Sequence, residues 1–212
     1  MKHKTLIVLD MDETLIYTED QTIRCCELER KNPDLYTDDE EPVFFRPHVK
    51  EFIDKLLNNN YMEVAVFTAS QRGYAKPILD KLFDMNVEDN LKLVFYRDKI
   101  TYTQNYIIDP YGSPKQEVFK DLKKVKKATG YGFDRMVAVD DKMLYKRQRG
   151  NVIVVPDYRA ELEDNILLST YKKLNLLTKV ENVRDYIKNF DVDVEKVNYP
   201  ALKGGACENK PS

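Results

Sequence analysis

The chain has 212 residues, of which 42% are hydrophobic and 33% charged, with a formal net charge of −2. This length suits one domain with a real core, and the composition excludes a fibrous or disordered chain. The small net charge argues against binding nucleic acid by electrostatics alone.

Targeting and redox signals are sparse. Leu6-Ile7-Val8-Leu9 is cut off by Asp10, far short of a membrane span or a signal-peptide core. Cys25 and Cys26 are adjacent, a spacing that rarely bridges, and Cys207 stands apart, so a reducing compartment is expected. The expectation is a monomer of the cytoplasm or nucleus, with no membrane contact and no direct nucleic-acid binding. His3 and His48 are too few for a histidine-rich metal site.

Thr5 to Leu9 reads as a buried strand, a short branched apolar run stopped by a charge. The acidic stretch Glu19 to Glu41 reads as a solvated insertion or cap. Val49 to Asn58 follows as a helix with Val49, Phe52, Ile53, Leu56 and Leu57 on one face. Glu63 to Phe67 repeats the strand pattern and ends at Thr68, and Gly73 to Phe83 reads as a second helix. Leu91 to Phe95 is the third strand. Lys99 to Pro114 reads as a β-hairpin turning at Gln104-Asn105, followed by a turn at Asp109-Pro110-Tyr111-Gly112. Val118 to Ala128 reads as a helix carrying Lys120. Arg135 to Val139, ending at Asp140, and Asn151 to Val155 are further strands. Helices near Leu162 to Leu174 and Val183 to Phe190 close a single domain over residues 1–190, and 191–212 reads as a tail.

Continuous rather than alternating apolar strands, separated by helices, indicate a parallel sheet covered on both faces. The fold expectation is therefore α/β, a Rossmann-like doubly wound parallel sheet. A β-hairpin insertion over 97–115 lies between the third strand and the Lys120 helix, and a second insertion covers 19–42.

Ligands of such sheets bind beyond the carboxyl ends of the strands. The polar residues at those ends are Asp10, Thr68 and Asp140-Asp141. A single Asp there is an ordinary cap or turn residue. Several on one edge would form a pocket of carboxylates and a hydroxyl. Asp10 and Asp12 are two apart and would repel if close, so a cation is expected near them. Oxygen ligands favour Mg²⁺ over Zn²⁺, and the later Gly and Glu of a calcium loop are missing.

Leu9-Asp10-Met11-Asp12-Glu13-Thr14-Leu15 resembles the first motif of haloacid-dehalogenase-type phosphatases. With Phe45-Arg46-Pro47, Phe67-Thr68-Ala69-Ser70, Phe119-Lys120-Asp121-Leu122 and Val139-Asp140-Asp141 in order, the chain looks like the small C-terminal-domain phosphatases. These share a domain with the NLI-interacting-factor group and the TFIIF-associated phosphatase of the RNA polymerase II tail. The resemblance runs from about Thr5 to Phe190. It implies the haloacid-dehalogenase fold and an Mg²⁺-dependent phosphatase that forms an aspartyl-phosphate on Asp10, with Asp12 as acid/base. A carboxylate attacking a phosphate is an anion attacking an anion, and Mg²⁺ with Lys120 would offset that repulsion. Thr68 would hydrogen-bond the phosphoryl group. Asp141 would bind Mg²⁺ with Asp10 and the backbone carbonyl of Asp12, and Asp140 would support that shell. Thr14 would orient the loop, and Ser70 and Arg97 would lie near the substrate, a phosphorylated protein or peptide.

The chain departs from the small phosphatases in its Asp140-Asp141 pair, its longer connection from Arg97 to Lys120 and its Glu19 to Glu41 segment. Other readings stand beside this one. Lys120 alone is a solvated lysine among Lys123, Lys124, Lys126 and Lys127, with Lys115 as the fallback cation, and Arg97 alone is surface charge. Lys142, Lys146, Arg147 and Arg149 read as a solvated face. Gly130-Tyr131-Gly132 reads as a helix stop rather than a dinucleotide loop. Arg30 is too close to Cys25 and Cys26 for a cysteine phosphatase. The alternatives in function are a phosphatase of small molecules, nucleotides or nucleic-acid ends, and a non-catalytic interaction module on the same fold.

Overall fold

The computed structural model describes residues 2–19, 32–108, 114–145 and 148–187, apart from the side chains of 107, 108 and 115. Its centre is a five-stranded parallel sheet built from β1 (Thr5–Leu9), β5 (Met62–Phe67), β6 (Leu93–Phe95), β9 (Met136–Asp140) and β10 (Val152–Val154). The spatial order is β10-β9-β1-β5-β6. The chain builds outward from β1 on one side, then returns to build on the other. Leu9 lies opposite Val66 of β5 and Val139 of β9, so these three strands end together.

Both faces of this sheet are covered, which is why its strands are continuously apolar. Ile7 and Leu9 pack with α1 (Val49–Leu57), α2 (Arg72–Phe83) and α5 (Ile166–Leu177). Leu6 and Val8 pack on the opposite face with Leu122 and Val125 of α4 (Leu122–Thr129). Fully burying one such aliphatic side chain contributes about 1.5–3 kcal/mol. The short α3 (Val87–Asn90), begun by Asn86 accepting from the Glu88 N–H, and α6 (Val183–Ile187) complete the α-helices of the described residues.

Two antiparallel units depart from the expected pattern. β2 (Ile16–Thr18), β3 (Leu35–Tyr36) and β4 (Pro42–Phe45) form a three-stranded sheet in the order β2-β4-β3. The described part of the acidic segment is therefore built into structure rather than wholly solvated. Asp38, Asp39 and Glu40 are exposed at a turn, but Glu19 is buried, and Asp34 accepts the Phe45 N–H at 2.7 Å.

The hairpin also differs from expectation. β7 (Thr101–Ile108) pairs with β8 (Pro114–Phe119), so Gln104-Asn105 lies inside β7 at a register shift between Tyr102 and Tyr106. Val118 and Phe119, read from sequence as helical, end β8 and pair with Tyr102 and Thr101. The helix starts later because the Asp121 side chain caps it, accepting the Lys123 N–H at 2.9 Å. Lys120 thus precedes the helix. Gly130 does end it, in the left-handed region at φ 81.

The Asp109 to Gly112 turn, residues 20–31 with Cys25 and Cys26, Lys146, Arg147, residues 188–190 and the tail with Cys207 lie outside the described residues.

Candidate active site

The parallel register brings three strand ends to one edge. Asp10 follows β1 with its N–H on Val139 O at 3.0 Å, Thr68 follows β5 with its N–H on Phe95 O at 2.9 Å, and Asp140 ends β9. Past Asp10 the chain does not stay extended. It turns through Glu13, whose φ is 59, and Leu15 and Ile16 return their N–H groups to Met11 O. Asp10 and Asp12 lie in different surroundings.

Asp10 is buried beside Lys120. The ammonium lies 2.7 Å from Asp10 Oδ1 and 2.6 Å from Asp140 Oδ2, and Lys120 and Asp140 have no exposure. Lys120 reaches this position because its N–H is pinned to Leu144 O at 3.0 Å, on the loop after β9. The Tyr145 ring, fully buried, faces the ammonium at 5.7 Å. Burial by itself would lower the Lys120 pKa, but Asp10, Tyr145 and Asp140 outweigh it and hold it above its ordinary value. The Asp10 carboxyl is pushed well above the ordinary range by burial. Lys120 pulls it down, while Asp140 and Asp12 push it up again.

Asp12 sits among hydroxyls. Its Oδ2 accepts from Ser70 Oγ at 2.7 Å and from Thr68 Oγ1 at 3.2 Å, and its Oδ1 accepts from Tyr74 OH at 3.1 Å. Tyr74 comes from the first turns of α2 and is bridged to Thr18 Oγ1 at 2.6 Å. Burial and the Asp12 charge both raise the Tyr74 pKa, so it remains a protonated donor. A cavity of about 230 Å³ opens beside Asp12, lined by Glu13, Tyr17, Thr18, Glu41 and Tyr74.

The third part is a cluster of carboxylates. Asp10, Asp140 and Asp141 each offer an oxygen, all within 4.8 Å of one another. Asp140 is committed within the protein, with Oδ2 on Lys120 and Oδ1 accepting the Lys142 N–H at 2.8 Å. Thr14, fully buried, donates its hydroxyl to Asp141 Oδ1 at 3.3 Å and accepts the Asp141 N–H at 3.0 Å. The other oxygen, Asp141 Oδ2, is buried without a hydrogen-bond partner, and the Lys142 ammonium stands 3.3 Å away at ion-pair distance only. Burial raises the Asp141 pKa, against the pull of Lys142.

Three close carboxylates facing one buried ammonium, with Asp141 Oδ2 met only by the exposed Lys142 ammonium, are a donor set that suits a hard divalent cation.

Behind this edge, Arg46 fixes the loop after Asp12. It is 1% exposed, donates to Thr14 O at 3.0 Å and pairs with Asp164 Oδ2 at 2.7 Å. Arg97 is exposed at the end of β6, its Nε donating to Ala69 O at 2.7 Å and its N–H to Ser70 O at 2.9 Å.

The residues singled out in the sequence therefore converge. Asp10, Lys120 and Asp140 meet directly, Asp12 meets Thr68 and Ser70, and Thr14 meets Asp141. Sequence reasoning missed Tyr74, Glu13 and Tyr145; Lys142 is exposed, as expected, yet its ammonium also reaches Glu13 and Asp141. A phenol one turn after the Thr68-Ala69-Ser70 strand end was the available signal for Tyr74.

A family description, NLI interacting factor-like phosphatase, matches residues 5–184. The chain belongs to this family. Among its relatives is CTD small phosphatase-like protein 2 of Dictyostelium discoideum, 30% identical over 190 residues, covering 88% of this chain and 30% of that protein. CTD nuclear envelope phosphatase 1 of Xenopus laevis is 27% identical over 192 residues, covering 87% of this chain and 71% of that protein. A solved structure of Fcp1, an essential RNA polymerase II CTD phosphatase, aligns at a TM-score of 0.45 with 16% identity, over 93% of this chain and 55% of that one. Nuclear envelope morphology protein 1 of Schizosaccharomyces pombe is 25% identical over 190 residues, and the chain spans only 36% of that protein, as it spans only 30% of the Dictyostelium one. All the motifs of the site fall inside the matched region, from Asp10 to Asp141. Among the described residues, no helix is long and apolar enough to cross a membrane.

Proposed function

We propose that this chain is a magnesium-dependent phosphatase that works through an aspartyl-phosphate on Asp10, with phosphoserine or phosphothreonine in a protein as substrate. The observation that carries this reading is the division of labour between the two aspartates. Asp10 is paired with a buried lysine, and Asp12 is held by three hydroxyls at the mouth of a cavity.

In the first step, an Asp10 oxygen bonds to phosphorus while the ester oxygen departs and takes a proton from Asp12. In the second, Asp12 takes a proton from water as that water attacks phosphorus. The acyl-phosphate bond between Asp10 and phosphorus breaks, releasing inorganic phosphate and restoring the carboxylate. Lys120 offsets the charge of Asp10 and of the incoming phosphoryl group from a site that excludes water. Thr68 and Ser70 position the Asp12 carboxyl, and Thr68 can shift its hydroxyl toward a phosphoryl oxygen. Arg97 extends the rim beside Ser70, where a substrate anion would pass.

Magnesium would be held by Asp10, Asp141 and the Asp12 carbonyl, with Asp140 and Thr14 orienting the carboxylates. When bound, it supplies the positive charge that lets an anion approach an anion.

A protein substrate is favoured by the relatives' names and by an open, acid-rimmed cavity that would disfavour polyanions. A nuclear or cytoplasmic setting accords with the nuclear-envelope names among them.

The test is hydrolysis of p-nitrophenyl phosphate with and without Mg²⁺ by wild type and Asp10→Asn. Magnesium-dependent turnover abolished by the substitution supports the reading, and its absence in wild type defeats it. A panel of phosphopeptides against nucleotides and sugar phosphates then tests the substrate class, with faster turnover of the metabolites overturning it.

A further inference from the structure

Two loops close onto Glu13. Arg159, after β10, reaches Glu13 Oε1 at 3.0 Å, and Lys142, after β9, pairs with Glu13 Oε2. Glu13 is fixed for this role by its backbone, which donates to Ile16 O and accepts from Tyr158 N, both at 2.7 Å. The Lys142 ammonium also stands 3.3 Å from Asp141 Oδ2, a buried oxygen of the carboxylate cluster. A residue that reads from sequence as part of a solvated basic face thus turns its charge onto the carboxylate cluster.

We propose that Lys142 is a tethered counter-ion of the metal site, competing with a divalent cation for Asp141 Oδ2 and so setting how tightly the protein holds Mg²⁺. The inference rests on the magnesium-dependent reading above. An ammonium and a magnesium ion against one carboxylate oxygen repel each other, so the two compete for it. Lys142 can give way without unfolding anything: its side chain is 58% exposed and Glu13 remains as its partner. Glu13 in turn stays anchored by Arg159. Displacing a partly exposed ion pair is a modest penalty, worth at most about fivefold in affinity. Lys142 would therefore tune magnesium binding without preventing it.

The experiment titrates MgCl₂ alone into the full chain by isothermal calorimetry, at low salt, for wild type, Lys142→Gln and Lys142→Arg. Lys142→Gln is expected to bind Mg²⁺ tighter, by up to about fivefold, and Lys142→Arg to stay within about twofold of wild type. Raising NaCl should shrink the gap between Lys142→Gln and wild type, since exposed charges are screened. Equal or weaker Mg²⁺ binding by Lys142→Gln overturns the proposal. So does a rise in KM for p-nitrophenyl phosphate at unchanged Mg²⁺ affinity, which would assign Lys142 to the phosphate. If wild type binds and uses Mg²⁺ but Lys142→Gln is unaltered, only this inference fails. If wild type and Asp141→Asn show the same lack of Mg²⁺ binding, the magnesium reading fails with it.

Discussion

Lys120 and Asp10 form a buried ion pair at 2.7 Å, and the same ammonium holds Asp140 at 2.6 Å. Removing one partner of a buried pair is costly because the other charge is left uncompensated. Lys120→Met should therefore lower stability by about 3 kcal/mol, at the low end for such a loss because the carboxyls can take up a proton. It should also lower phosphatase turnover by at least about 10²-fold. Urea unfolding and p-nitrophenyl phosphate hydrolysis measure the two effects separately. A stable, fully active variant would contradict both.

Asp10 and Asp12 should fail in different ways. Asp10→Asn is expected to form no phosphoenzyme. Asp12→Asn should still release nitrophenolate, whose departure needs little protonation, in a burst of about one equivalent before slow hydrolysis of the intermediate. On a phosphoserine peptide, whose alkoxide leaving group needs the proton, the same variant should show no burst. Rapid-quench kinetics with both substrates tests this. A burst from Asp10→Asn would reverse the assignment.

Tyr74 supplies one of the hydroxyls on Asp12 and is bridged to Thr18. Tyr74→Phe keeps the ring and removes one hydrogen bond, worth about 1 kcal/mol. Turnover should drop about fivefold with stability little changed. Unaltered turnover would reduce Tyr74 to a wall of the cavity.

Arg46 joins Thr14 O to Asp164 while 1% exposed. Arg46→Met should destabilise by about 3 kcal/mol, leaving a near-buried carboxylate and a carbonyl without their partner. Arg46→Lys should not rescue it, because a point ammonium cannot reproduce the guanidinium fork. Thermal melts of the two variants decide this.

Much of the frame was legible in the sequence because its signals are local. Thr5 to Leu9, Glu63 to Phe67 and Arg135 to Val139 are apolar runs stopped by polar residues, and each became a strand, within a residue at its ends, of the parallel sheet. Where signals were short or ambiguous, tertiary pairing overrode them. Val118 and Phe119 continue a helical pattern on paper, yet they pair across β7. Gln104-Asn105 resembles a turn but lies within a strand.

By itself, then, the sequence determined that Asp10, Thr68 and Asp140 would stand at strand ends, because alternation of apolar runs and charges is written residue by residue. Only the tertiary structure decided what each would meet. Lys120 became a buried site cation because Leu144 holds its backbone inward, although five lysines in that stretch look alike in sequence. Asp12 parted from Asp10 because Thr68, Ser70 and Tyr74 gather around it. Thr14 and Asp141 met across 127 residues, and Lys142, exposed as read, also brought its ammonium to Glu13 and Asp141. Those partnerships depend on where distant segments pack, and no local pattern encodes that distance.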